Sequence, residues 1–167
     1  MPAGSTYTPI ATTTLGSAAA SYTFSSIPST YTDLVVVIWS STGSADNADS
    51  FRFNSDSGTN YSHTYLFGNG TTASSGRGTS TNGMQVLGGG LTNGMMSVSH
   101  IMNYANSTTY KTVLSRYEVS AGGNRTVAAA VGLWRNTAAI TSVTITTTTA
   151  NTYPVGSTFT LYGIASA

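Results

Sequence analysis

The sequence predicts an all-β fold, a sandwich or barrel of short antiparallel strands with negligible helix. Three observations predict it. Glu, Lys, Leu and Gln are scarce, so the usual helix formers are missing. Thr, Val, Ile, Tyr and Phe dominate the periodic stretches, and these residues suit a pleated surface. Breaks rich in Gly, Asn and Ser punctuate the chain, and Gly and Asn there supply the positive φ that tight turns require.

Taken in order, residues 21–24 form a short strand, and 34–39 is a continuous apolar run expected to be buried on both faces. Residues 51–53 alternate, 63–67 do so more loosely, and 84–86 is a weak strand. Over 96–102 one face carries Met96, Val98, His100 and Met102. Over 110–119 one face carries Val113, Tyr117 and Val119, with Lys111 at its end. Residues 126–134 are apolar and small, and 141–147 place Val143 and Ile145 on one side. The last strand, 157–164, puts Phe159 and Leu161 on one face and Tyr162 and Ile164 on the other. The breaks lie at 27–28, 41–49, 54–60, 68–82, 88–90, 122–124 and 151–156, of which 68–82 is the longest expected loop. Polar residues 1–17, with two prolines, are expected as an N-terminal arm, leaving 18–167 as one sandwich domain.

Only 7% of the residues are charged, so the surface must be built from Thr, Ser, Gly and Asn. Such a surface repels its own copies weakly and suits a chain that packs against others. A net charge of +1, with basic residues dispersed at Arg52, Arg77, Lys111, Arg116, Arg125 and Arg135, gives little steering towards nucleic acid or anionic lipid. The absence of cysteine excludes disulfides and thiolate chemistry. Residues 1–20 carry no basic start and no apolar core, so no secretory signal is read there.

Catalytic and metal chemistry finds little support. The carboxylates are Asp33, Asp46, Asp49, Asp56 and Glu118, and three of them fall in expected turns, where Asp caps its own backbone. The segment 54–60 has alternating oxygen side chains in the manner of a calcium loop. Its glycine falls one place early, and Tyr65 stands where a bidentate Glu is needed, so a hydrogen-bonded turn is expected instead. His63 and His100 lie in strands outside any metal-ligand spacing, and no G-x-S-x-G elbow occurs. Gly68-Asn69-Gly70 lacks the helix that would hold a pyrophosphate. No catalytic, cofactor or metal residue is therefore assigned. The tyrosines admit a sugar-binding platform, with Tyr61 and Tyr65 as the first positions to inspect, but core and subunit packing explain them more simply.

Four stretches, taken in order, carry a family resemblance: Phe24-Ser25-Ser26-Ile27-Pro28 continuing to Val36, Phe51-Arg52-Phe53-Asn54-Ser55-Asp56 continuing to Ser62, Trp134-Arg135-Asn136 continuing to Val143, and Gly156-Ser157-Thr158-Phe159 continuing to Ile164. Together they resemble small virion proteins of tailed phages, notably cyanophages. The resemblance implies a jelly-roll-like sandwich of about eight to ten strands. It also implies a capsid decoration (cement) role on the outer surface of the major capsid protein shell, without enzymatic activity, cofactor, nucleic acid or membrane. By symmetry analogy it implies a homotrimer, made in the bacterial host cytoplasm and carried on the virion. The arm and one loop end are expected to touch the shell. A receptor- or glycan-binding module of a tail fibre or baseplate is the alternative expectation.

Overall fold

The computed structural model describes residues 6–40, 49–86, 94–121, 124–147 and 151–165, with side chains from 119 to 125 outside the description. The described residues form twelve strands and no helix. They are β1 (Tyr7–Thr14), β2 (Ser21–Phe24), β3 (Asp33–Ser40), β4 (Asp49–Phe53), β5 (Tyr61–Gly68), β6 (Ala73–Thr81), β7 (Met84–Gln85), β8 (Met95–Met102), β9 (Lys111–Ala121), β10 (Asn124–Trp134), β11 (Val143–Thr147) and β12 (Thr158–Ile164). They pair antiparallel in two sheets, one ordered β1-β12-β3-β8-β9-β10-β5-β6 and a smaller one ordered β2-β11-β4-β7. The result is a β-sandwich.

The core lies between the sheets, as alternation dictates. The large sheet contributes Leu34, Val36 and Ile38 from β3, Phe159 and Leu161 from β12, and Val113 and Trp134 from β9 and β10. The small sheet contributes Phe24, Phe51, Phe53, Val143 and Ile145. In β3 the outer positions are not uniformly covered: Val35 is buried, but Trp39 is 49% exposed.

Two expected boundaries shift, and both shifts add strands to the expected set. Residues 7–14, within the segment expected as an arm, form β1 and pair with β12 from Tyr7↔Ile164 to Thr14↔Thr158, with a bulge between Pro9 and Ala11. Ile10, Ala11 and Leu15 pack against the core, so this stretch is an edge strand rather than a free arm. Thr and Tyr supply its strand propensity, and the proline is tolerated at a sheet edge. Likewise, most of the expected 68–82 loop is β6, which pairs with β5. Its inward glycines are occupied from across the ladder. Tyr65 lies over its partner Gly76, and His63 lies over its partner Gly78, each where a Cβ would stand. Aromatic side chains thus cover a strand too poor in apolar residues to be read as one.

The turn at 54–60 is tied down by polar side chains. Asn54, with φ of 52°, accepts at Oδ1 from the N–H groups of Thr141 and Ser142 and donates through Nδ2 to the Ala139 carbonyl. Two of the stretches that carry the resemblance are thereby joined.

Candidate functional site: the outer face of the large sheet

The strongest functional signal is an inversion of pattern in the middle of the large sheet. In β8 the side chains of Met95, Ser97, Ser99 and Ile101 point into the core, while Met96 is 47% and Met102 40% exposed. The sequence groups Met96, Val98, His100 and Met102 on one face, and that face looks outward. Two serines therefore occupy core positions that methionine and valine would fill more favourably. Ser99 is satisfied by a 2.7 Å hydrogen bond to Ser115 on the neighbouring β9, whereas the Ser97 hydroxyl is buried without a partner. In β10 the inward residues are Ala128, Ala130, Gly132 and Trp134, while Val127 is 66% and Val131 50% exposed.

Register sets these outward residues in rows. Val35, His100, Leu114, Val131 and Thr64 lie side by side across five strands. The next row runs Val37, Val98, Arg116, Ala129 and Leu66, and the third runs Trp39, Met96, Glu118 and Val127. An antiparallel sheet with one wet face normally turns its apolar residues inward. Here apolar side chains cover both faces; across these five strands the charges are Arg116 and Glu118, both exposed, and Arg77 of β6 follows Thr64 in the first row. Neither the Arg116 nor the Glu118 side chain makes a hydrogen bond or ion pair among the described residues.

A second feature lies beside this face. Ser62, Thr64, Arg77, Thr79, Thr112, Val131 and Leu133 border a groove of about 430 Å³, also lined by His63 and the glycines beneath it. Arg77 is exposed there, among hydroxyl side chains.

Asp56 accepts from the Trp134 indole at 2.7 Å, from Asn60 Nδ2 at 2.9 Å and from the Gly58 N–H at 2.9 Å. Partial burial opposes its ionisation, but these hydrogen bonds win and hold the carboxyl below its ordinary value. The calcium-like loop is thus a turn that anchors the core tryptophan. Asp33 caps the Asn103 N–H. Lys111 is fully buried and donates from Nζ to the Thr109 and Thr137 carbonyls at 2.7 and 3.0 Å, and desolvation lowers its pKa. His63 is buried and accepts at Nδ1 from the Gln85 N–H, and desolvation lowers its pKa. Arg52 and Arg135 each donate to a loop carbonyl, of Asn82 and Thr59. Tyr61 is fully buried, its hydroxyl tied to Phe53 and Asp56, so it is not available to a glycan. Asp46 and the Arg125 side chain lie outside the description.

Sequence reasoning misses Asp49. It is wholly buried at the start of β4, facing Tyr153. Its carboxylate oxygens and the Tyr153 hydroxyl make no hydrogen bond of normal geometry. Desolvation raises its pKa to about 7, an effect the Tyr153 hydroxyl only partly offsets. Its place at the end of an expected turn gives no sign of burial.

Among the described residues no three His, Cys, Asp or Glu side chains stand together as metal ligands, and no helix is long and apolar enough to cross a membrane. Comparison with protein-family models, with curated proteins and with solved structures gives no match to this chain.

Proposed function

We propose that this chain is a non-enzymatic structural protein of a tailed-phage virion, most specifically a decoration (cement) protein that binds the outer surface of the major capsid protein shell and stabilises the expanded head. The observation that supports this reading best is the outward-turned apolar face of the large sheet. A chain that stays alone in water gains nothing from exposing Trp39, Met96, Leu114, Val131, Val127 and Leu66 while burying Ser97, Ser99 and Ser115. A chain that works inside an assembly gains contact area from that arrangement. The scarcity of charge points the same way, since few ions need desolvating when copies pack together. The mechanism is additive: many copies make modest contacts, and their sum resists the pressure of packed DNA.

The resemblance to phage virion proteins supplies the identity of the shell partner. The test is direct. Expanded heads lacking this protein are mixed with the purified chain and sedimented. Saturable co-sedimentation with heads is expected, and no binding to expanded heads counts against the reading.

The groove bearing Arg77 favours one other reading, a receptor- or glycan-binding module of a tail fibre or baseplate. An exposed guanidinium among Ser62, Thr64, Thr79 and Thr112 offers donors and acceptors to a sugar. A glycan array without hits, together with normal adsorption when the protein is removed, eliminates it.

A further inference from the structure

We propose that two copies of this chain pair through the outer face of the large sheet, about a two-fold axis passing between Arg116 and Glu118 of β9. Each copy's Arg116 then meets the other copy's Glu118. The inference rests on the chemistry of the same face that supports the virion reading, and its test is made on the purified chain without the virion.

Arg116 sits between Val98 and Ala129 in its row, and Glu118 between Met96 and Val127. Any wholly apolar partner would strand both ions out of water, and a partner of one sign would satisfy only one of them. The required partner is therefore apolar over most of its surface, with one cation and one anion about 6.6 Å apart, the repeat of two residues along a strand. Over β3, β8, β9, β10 and β5 the face itself has that description. Rotating a second copy by half a turn about an axis that lies between the two sheets, perpendicular to β9 and level with Tyr117, lays β9 antiparallel on its twin. Both ion pairs form at once, and Leu114, Val131 and Val127 fill the space between sheets stacked about 10 Å apart.

Area is consistent with a specific contact. Five strands spaced about 4.8 Å apart, with outward residues over about 20 Å of each, project roughly 500 Å². Side-chain relief raises the accessible area towards the roughly 800 Å² per partner of ordinary stable interfaces. The arrangement is isologous, since one patch meets itself. A ring of three uses two different patches and cannot bring this face onto itself, so the pairing is distinct from the threefold association that the resemblance implies.

The experiment is sedimentation equilibrium on the purified full chain and on two charge reversals, Arg116→Glu and Glu118→Arg. The unaltered chain is expected to be a dimer. Each reversal alone places like charges opposite each other twice, so self-affinity falls by about 100-fold or more. Mixed in equal amounts, the two variants present two anions to two cations, and the dimer returns. The doubly reversed chain, R116E/E118R, dimerises on its own. A monomer or trimer for the unaltered chain overturns the proposal, as does persistence of the dimer in both single variants or failure of the mixture to recover it. Circular dichroism confirms that each variant is folded. Should one of them not fold, Val127→Lys, at a 66% exposed position, takes its place and is also expected to abolish the dimer. A dimer unaffected by Val127→Lys contradicts the proposal equally.

Discussion

Replacing Asp49 with asparagine isolates a buried carboxyl whose ionisation the fold opposes. The carboxyl is fully buried, and its pKa is raised from 3.8 to about 7. A group whose folded value lies above its unfolded value holds a proton in the folded state that the unfolded chain has released. Its contribution to stability is therefore complete below pH 3.8, declines as pH rises, and is lost once pH passes about 7. A shift of roughly three units at about 1.36 kcal/mol each gives an upper figure of about 4 kcal/mol between pH 4 and pH 8. The amide introduced by Asp49→Asn cannot ionise, so the variant lacks this slope. The assay is urea unfolding of both proteins at steps of pH. With a slope of about 2 kcal/mol/M for a domain of this size, the midpoint of Asp49→Asn should exceed that of the unaltered chain by up to about 2 M more at pH 8 than at pH 4. Two parallel pH profiles would refute the reasoning, because they would show that Asp49 ionises freely in the folded state.

Other perturbations test the core and its clamps. Gly132→Ala drives a Cβ into the Met84 side chain, which is fully buried and has nowhere to retreat; a loss of about 1–3 kcal/mol in urea unfolding is expected, and part of it should return in Gly132→Ala/Met84→Ala. Lys111→Met leaves the Thr109 and Thr137 carbonyls without their donor, and a loss of about 2–5 kcal/mol is expected by the same assay. Trp134→Phe removes the indole N–H from Asp56, so NMR titration should find the Asp56 carboxyl closer to its ordinary value. The stability that Asp56 contributes is present above pH 3.8 and lost as pH falls through its lowered folded value, so Trp134→Phe should also flatten the acid limb of the stability profile.

Legibility in the sequence follows the strength of the local signal. β3, β11 and β12 are readable because β-branched and aromatic residues run or alternate cleanly there, and the pairs grouped on one side, Val143 with Ile145 and Phe159 with Leu161, are buried together. β6 is not readable, because ASSGRGTST has almost no apolar content and becomes a strand only when Tyr65 and His63 of β5 lie over its glycines. β1 is hidden for a related reason: its place is set by the free edge of β12, which local sequence does not reveal. In β8 the periodicity is legible but its direction is not. Alternation alone assigns the larger apolar side chains to the core, yet Met96 and Met102 face outward while Ser97 and Ser99 face in. That inversion, the basis of the candidate interface, needs three dimensions to be seen. The burial of Asp49 has the same character, for the Tyr153 hydroxyl that meets it comes from the far end of the chain.

The central claim, a structural protein acting in many copies on a virion shell, is tested most directly by counting. Quantitative mass spectrometry of purified virions gives the copy number of this chain relative to the major capsid protein. The account expects a ratio comparable with the number of shell subunits. A handful of copies per particle, or none, would contradict it and turn attention to the Arg77 groove and a tail or fibre location.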